Sequence, residues 1–243
     1  MHAELSPETG WPKLLFDAAS PAPRCLRMFL LEKGLRVPSV TVNVLKGENR
    51  QTAYLTRNPA GQTPALELEG GTVLGEAVAI AEYIEELHPE PALIGNTPLN
   101  RAQTRMWWRR VELNVTEFIH NAYHYAEGIR RFEGRIPVVP EAAGGLKRVA
   151  QDRIAWLDAM MGDGPFLCGD RFTAADIWLY VWLDFGNDVG QPFDRRLLRL
   201  GPWFDLMQAR ASAPQSRELF ASHGAASSPE HEPVWPRGGP FTA

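Results

Sequence analysis

Leu14-Leu15-Phe16-Asp17-Ala18-Ala19-Ser20-Pro21-Ala22-Pro23-Arg24-Cys25-Leu26-Arg27-Met28-Phe29-Leu30-Leu31-Glu32-Lys33-Gly34, continued by Val40-Thr41-Val42-Asn43-Val44, reads as strand, helix, strand. Leu14-Leu15-Phe16 is a short apolar run of the kind that forms a buried strand. Ser20-Pro21 has the chemistry of an N-cap followed by the first helical residue. Leu26, Phe29, Leu30 and Lys33 ride on that helix, and Gly34 supplies the residue that ends it. Val40, Val42 and Val44 alternate with Thr41 and Asn43, the period of a half-buried strand. A strand-helix-strand unit crosses over right-handedly and leaves its two strands parallel.

Working outward, Lys46-Gly47-Glu48-Asn49-Arg50 is a loop, and Thr52 to Arg57 predicts a short helix ended by Asn58-Pro59. Ala65 to Leu68 and Thr72 to Leu74 flank Gly70-Gly71, the signature of a hairpin. Ile80, Ile84 and Leu87 then fall on one face of a helix. The expected order is β-α-β-α-β-β-α, a small mixed sheet with helices on its faces, occupying residues 13–88. His88-Pro89-Glu90-Pro91 interrupts it, and residues 89–98 read as a linker. Residues 99–220 read as all-helical. One long helix is expected from Asn100 to about Glu127, with Met106, Val111, Val115 and Phe118 on one face. A second carries Leu146, Val149, Ile154, Leu157 and Met161. A third opens at Thr173-Ala174-Ala175-Asp176, and a fourth runs from Trp203 to Arg210. Residues 221–243 are rich in Gly and Pro and read as an irregular tail.

Composition narrows the function. The chain has 243 residues, a formal net charge of −4 and 44% hydrophobic residues, the profile of a globular protein. A nucleic-acid binder would carry a basic excess to meet phosphates, so none is expected. Met1-His2-Ala3-Glu4-Leu5-Ser6 has neither the basic nor the apolar region of a secretory signal. The most apolar stretch, Ile177 to Phe185, is too short to span a bilayer, so no membrane partner is expected. Cys25 and Cys168 are the only two cysteines. Their separation excludes a CxxC site and fits a reducing cytoplasm.

Three segments resemble the cytosolic glutathione transferase superfamily, in a bacterial-type form with serine at the catalytic position. The first is Leu15 through Arg27 with Leu31-Glu32-Lys33-Gly34. The second is Asn58-Pro59-Ala60-Gly61-Gln62-Thr63-Pro64-Ala65-Leu66 with Leu74-Gly75-Glu76-Ala77-Val78-Ala79-Ile80 and Tyr83-Ile84. The third is Phe166-Leu167-Cys168-Gly169-Asp170-Arg171-Phe172-Thr173-Ala174-Ala175-Asp176. The resemblance covers roughly residues 13 to 220. It implies an α/β, thioredoxin-like N-terminal domain that binds glutathione, an all-α C-terminal domain, and a homodimer.

Ser20 is the candidate catalytic residue. At the top of a strand and the start of a helix, backbone N–H groups and the helix dipole favour negative charge. A hydroxyl there can donate to a thiolate. Such a bond is worth about 1.5–3 kcal/mol, enough to lower a thiol pKa of ~8.5 by about one to two units. The bland alternative is that Ser20 caps its helix. Pro23 stands where a glutaredoxin-like pair would place its second cysteine, which excludes two-thiol redox chemistry there. Cys25 and Cys168 read as small packed side chains.

The resemblance assigns the remaining glutathione contacts. It implies a cis bond at Thr63-Pro64, with the Thr63 N–H and C=O turned toward the cysteinyl backbone as an added strand would be. It places Glu76 at the γ-glutamyl ammonium and Ala77 at the carboxylate, where the family usually has Ser or Thr. Losing that hydroxyl costs about 1.5–3 kcal/mol, or ~10- to 100-fold in affinity. Asn49 and Arg50 match a His-Lys pair used on the glycine carboxylate, with Lys46 as a substitute. Gln62 matches a glutathione-contacting Gln or Lys. Thr173 to Asp176 is a capping box with a structural role. Trp107, Trp108 and Tyr123, with Tyr125 and Phe132 nearby, fall where the family faces its second substrate. Aromatics at helical spacing are more often core. His120 and His124 are one turn apart, but no third ligand is evident, so no metal is expected.

The resulting expectation is a glutathione transferase that activates the glutathione thiolate for attack on a hydrophobic electrophile. Glutathione is then a co-substrate, and no metal or organic cofactor is required. The alternatives are a non-catalytic ligand-binding or dimeric scaffold member, and a glutathione-dependent lyase or isomerase. The same activated thiolate serves conjugation, elimination and isomerisation.

Overall fold

β1 (Pro12–Asp17), β2 (Ser39–Thr41), β3 (Ala65–Leu68) and β4 (Val73–Leu74) form one sheet in the order β2-β1-β3-β4. This is the computed structural model's account of residues 12–219; the expected tail from 221 lies outside the described residues. β1 and β2 are parallel, with Leu15 opposite Ser39 and Asp17 opposite Thr41. The helix between them, α1 (Pro21–Glu32), makes this the crossover unit expected from the sequence. β1 pairs antiparallel with β3, and β3 with β4. Gly71 turns the last hairpin at φ 84°, a conformation that glycine adopts without penalty.

Local chemistry ends α1 where the sequence said it should. Gly34 has φ 65°, its N–H donates to the Leu31 carbonyl at 3.0 Å, and the Leu35 N–H reaches the Leu30 carbonyl at 2.9 Å. These two bonds form the Schellman closure of a helix. Beside the sheet, Phe16, Val42, Tyr54 and Ala65 make a buried cluster, with Leu14, Val40 and Val73 packed on it. The Phe16 and Tyr54 rings meet edge to face at 5.7 Å. The second strand is shorter than its Val periodicity predicts. It stops at Thr41, and Val42 is buried by packing while its N–H bonds the Asp17 carbonyl at 2.8 Å. The predicted 52–57 helix is α2 (Thr52–Leu55), and α3 (Ala77–Leu87) follows the hairpin.

The chain divides into two units, the boundary falling between Tyr83 and Ile84 inside α3. The second unit contains α4 (Pro98–Val111), α5 (Glu117–Tyr125), α6 (Ile129–Phe132), α7 (Ala143–Met160), α8 (Ala174–Asp188), α9 (Leu200–Gln208) and α10 (Ser212–Gln215). Its described residues contain no named strand. The middle of the segment read as a linker packs into this unit. Leu93 and Ile94 are buried, the Ile94 N–H donates to Glu85 at 2.6 Å, and the Leu93 carbonyl accepts from the Ala174 N–H at 2.8 Å. The single helix expected over 100–127 is α4 and α5 joined by a π-helical turn, Glu112–Thr116. A π turn inserts one residue per turn, which shifts the apolar phase without breaking the helical pattern. Thr97 caps α4 by accepting from the Asn100 N–H at 3.1 Å, so the helix begins earlier than Asn100.

α8 is buried nearly all round, which explains its continuous apolar sequence. Its anchor is Asp176, 0% exposed. The carboxylate accepts from the Thr173 N–H at 2.9 Å, the Leu167 N–H at 2.9 Å and the Trp203 indole at 3.0 Å. The capping-box motif therefore joins a loop, α8 and α9. Burial pushes its carboxyl above the usual range, opposed by these donors. In urea unfolding, Thr173→Ala should cost about 0.5–2 kcal/mol. Asp176→Ala strands several buried donors and should cost more, about 3 kcal/mol or above.

Candidate active site

Strand register gathers the first unit's candidate residues at one end of the sheet. Phe16 pairs with Ala65, so β1 leaves the sheet toward Ser20 at the end where β3 enters it from Gln62-Thr63-Pro64. Leu66 pairs with Leu74, so β4 exits at that same end into Gly75-Glu76-Ala77. Asp17 pairs with Thr41, which sends the chain after β2 the same way, toward Asn49 and Arg50. Four segments far apart in sequence converge because the central strand is paired on both sides.

Ser20 sits at the N-cap of α1 with extended backbone, φ −148° and ψ 164°, and its side chain makes no capping hydrogen bond. The prolines explain this. A capping oxygen accepts from the N–H of the second or third helical residue. Pro21 and Pro23 are the first and third, so only Ala22 offers a donor in the first three positions. Ser20 is half-buried, and its hydroxyl is left without a backbone task. The same prolines thin out the helix-end donors on which the sequence reading relied.

The turn leading to Ser20 is fastened by two residues that sequence analysis did not single out. The Asp17 carboxylate and the Arg27 guanidinium form an ion pair whose side chains are 1% and 2% exposed. The Ala18 N–H donates to Asp17 Oδ1 at 2.8 Å, and Arg27 Nη1 donates to the Ala18 carbonyl at 2.9 Å. The Ser20 N–H donates to that carbonyl too, at 2.9 Å. Burial is the larger influence on Arg27 and lowers its pKa, against the opposing pull of Asp17. The sequence did hold a signal: Arg27 falls among Leu26, Met28 and Leu30, and a cation on a buried face requires a partner.

The loop before β3 is held from beneath. The Thr63–Pro64 bond is cis, the isomer implied by the resemblance. The Gln62 carbonyl accepts from the Tyr54 hydroxyl and from Asn58 Nδ2, the latter at 2.8 Å. Burial pushes the Tyr54 phenol up to about 12. Asn49 gives one amide N–H to the Gly61 carbonyl at 2.7 Å, while Arg50 reaches the Ala60 carbonyl at 3.4 Å. Gly61 has φ 64°, and a Cβ there would lie 3.1 Å from the Asn49 carbonyl oxygen, so no other residue fits without displacement. Lys46 is exposed and has no acid partner among the described residues.

Glu76 is the one positive-φ residue other than glycine among the described residues, at φ 61°. Left-handed backbone costs a side-chain-bearing residue about 1–2 kcal/mol, and such strain concentrates at sites. Its carbonyl accepts from Ile80, so it stands as the cap of α3, with Ala77 as the first helical residue. The Ala77 N–H is among the first-turn donors that lack an intrahelical acceptor. The Glu76 carboxylate is exposed.

In the helical unit, the expected second-substrate residues separate. Trp108 is 1% exposed and packs edge-on against Trp178 at 4.5 Å, between α4 and α8. Trp107 is mostly buried under the Arg110 guanidinium, 4.9 Å from the ring. Tyr123 joins a cluster with Phe132 at 5.9 Å and Phe185 at 5.1 Å, and its hydroxyl accepts from Arg131 at 2.8 Å. The His120 and His124 rings lie tilted to one another at 4.0 Å within it. No group of three or more His, Cys, Asp or Glu suited to a metal ion occurs among the described residues.

The chain belongs to the cytosolic glutathione transferase superfamily. Residues 19–87 match the family described as "Glutathione S-transferase, N-terminal domain", and residues 143–210 match "Glutathione S-transferase, C-terminal domain". The chain is 30% identical to "Glutathione S-transferase 2" of Saccharomyces cerevisiae, covering 85% of this chain and 90% of that one. It is 35% identical to "Maleylacetoacetate isomerase" of Pseudomonas aeruginosa, over 70% of this chain and 78% of the other. The crystal structure of Gtt2 from Saccharomyces cerevisiae superposes with a TM-score of 0.76 at 29% identity, covering 84% of this chain and 99% of that one. A glutathione S-transferase domain-containing protein of Marinobacter aquaeolei gives a TM-score of 0.76 at 32% identity, over 82% and 99% of the respective chains.

The histidine pair carries a pH signature. Burial lowers His120 to about 3, helped by His124, and lowers His124 to about 4. The unfolded chain takes up these protons near pH 6.5 and the folded chain does not, so stability is complete above ~6.5 and falls as pH drops below it. His120 alone should withdraw roughly 2 kcal/mol between about pH 7 and pH 5. Urea midpoints at the two pH values measure this, and His120→Phe should remove about half of the difference, His124 supplying the rest.

Proposed function

We propose that the chain is a glutathione transferase in which the Ser20 hydroxyl donates to the glutathione sulfur and holds it as a thiolate. The single observation carrying this reading is the Ser20 side chain, placed at the helix start yet making no capping hydrogen bond. The thiol proton leaves to solvent. The thiolate then attacks an electrophilic carbon, and the leaving group departs with the displaced electron pair. Thr63 pairs with the cysteinyl backbone beside cis-Pro64. The exposed Glu76 carboxylate takes the γ-glutamyl ammonium and the Ala77 N–H its carboxylate. Arg50, with Lys46 as the substitute, meets the glycine carboxylate, while Gln62 and the second N–H of Asn49 line the same edge. No metal or organic cofactor has a part in this scheme.

The second substrate is a small hydrophobic electrophile, for which Tyr123 and Trp107 are the lining candidates. Trp108 is better accounted for as core, being sealed against Trp178. A homodimer accords with Leu99, Met106 and Leu113, which are 67%, 42% and 54% exposed at seven-residue spacing along α4 and the π turn. Cytoplasmic residence accords with two unbonded cysteines. No helix among the described residues is long and apolar enough to cross a membrane.

Two other readings have a specific observation behind them. Similarity to a protein named maleylacetoacetate isomerase favours glutathione-dependent isomerisation. There the thiolate would add to a double bond and leave again after rotation. The methyl of Ala77 and the commitment of an Asn49 N–H to Gly61 favour a weak or non-catalytic binder.

Ser20→Ala should lower turnover of glutathione with a chloronitroaromatic electrophile by about 10- to 100-fold without loss of the fold. Unchanged turnover removes Ser20 from the reaction. In calorimetric titration, Ala77→Ser should tighten glutathione binding by up to about the same factor. Absence of heat at millimolar glutathione in the parent chain would favour the scaffold reading.

A further inference from the structure

We propose that the buried Asp17–Arg27 pair is a positioning device for Ser20, locking the turn that sets the angle at which its hydroxyl is presented. This rests on the assignment of Ser20 as the thiolate's donor. Neither residue touches glutathione in the proposal; both act through the backbone of Ala18.

Stability is a poor explanation for the pair. Both side chains are almost sealed from solvent. Desolvating two charges costs several kcal/mol each, and apolar replacement of such pairs is often neutral or stabilising. What the pair does locally is specific. Arg27 Nη1 donates at once to Asp17 Oδ1 and to the Ala18 carbonyl, the latter at 2.9 Å. Asp17 Oδ1 also accepts from the Ala18 N–H at 2.8 Å. The N–H and the C=O of Ala18 are thus both held by one closed ring of bonds. That same carbonyl receives the Ser20 N–H at 2.9 Å. Ser20 hangs from an oxygen that the guanidinium holds in place.

Ser20 needs this support because the usual one is missing. A serine at a helix start is normally fixed by its own capping bond; Pro23 removes one of the two donors, and Ser20 makes no such bond. The remaining tethers are its N–H to Ala18 and its carbonyl to the Arg24 N–H at 3.1 Å. Arg27 lies about two turns further along α1, so the lock ties the loop to the body of the helix. The Asp17 carbonyl is meanwhile held by the Val42 N–H at 2.8 Å, which ties the same turn to the chain leaving β2. Arg24 and Cys25 are the other titratable groups facing the guanidinium.

The test is the thiol pKa of bound glutathione, read from thiolate absorbance and from the pH profile of kcat/KM. Asp17→Asn combined with Arg27→Met removes both charges without stranding one. The thiol pKa should rise by about one unit and kcat/KM near neutral pH should fall about tenfold. KM for glutathione should stay within about twofold, since the tripeptide's own contacts are untouched. Should the double variant fail to fold, Arg27→Lys decides. A single ammonium on a shorter stem keeps the charge opposite Asp17 and gives up the Ala18 carbonyl, so the pKa should still rise while the melting temperature holds. A folded variant with the parent thiol pKa and kcat/KM, or a loss confined to KM, overturns the positioning role. Ser20→Ala run in parallel separates the two ideas: an unshifted thiol pKa in that variant overturns the assignment of Ser20 itself, whatever Arg27 does.

Discussion

β1 is the constraint from which the rest of the first unit follows. It pairs in parallel with β2 and antiparallel with β3, so its two edges fix two registers at once. A slip of one residue would turn Phe16 out of its cluster with Val42, Tyr54 and Ala65 and put Leu15 and Asp17 on that face. The same registers carry Ser20, Asn49 and Thr63 to one end of the sheet, and the β3–β4 register adds Glu76. Packing and site assembly are therefore one event, and the strand that buries the core aims the candidate chemistry.

At that end the local backbone departs repeatedly from ordinary preference. Ser20 heads a helix with prolines at its first and third positions. Thr63 precedes a cis proline, Gly61 lies at φ 64° and Glu76 at φ 61°. Three of these stretches are held by polar contacts: Arg27 and Asp17 at Ala18, Tyr54 and Asn58 at Gln62, Asn49 at Gly61. Asp17, Arg27, Tyr54 and Asn58 are buried, whereas Ser20 and Thr63 are half-buried and Gln62 and Glu76 are exposed. Rigidity is thus concentrated beneath the residues proposed to meet glutathione. Preorganised donors of this kind favour an anion without having to rearrange to meet it.

The helical unit uses one buried carboxylate for a comparable purpose. Asp176 gathers Leu167, Thr173 and Trp203, joining a loop, the cap of α8 and α9. α8 can then be apolar on every side, because its start is held by charge-assisted bonds and its flanks by Trp108, Phe204 and the aromatic cluster. The π turn at Glu112–Thr116 resets the phase between α4 and α5, so that Trp108 and His120 can both meet α8, at Trp178 and Trp182.

The sequence by itself determined the order of elements, the parallel first pair, the glycine hairpin, the Gly34 stop, the capping box and the family. Those features are written in local chemistry: period-two valines, a glycine where positive φ is needed, a carboxylate three residues after a threonine. Only the tertiary structure decided where β2 stops, that Leu93 and Ile94 are buried within the segment 89–98, that one helix holds a π turn, and that Trp108 is core. It alone found Asp17, Arg27, Tyr54 and Asn58 beneath the candidate site. The reason is physical. A side chain that supports another through space leaves no period or motif in the chain, because its partner is chosen by register and burial rather than by neighbours in sequence.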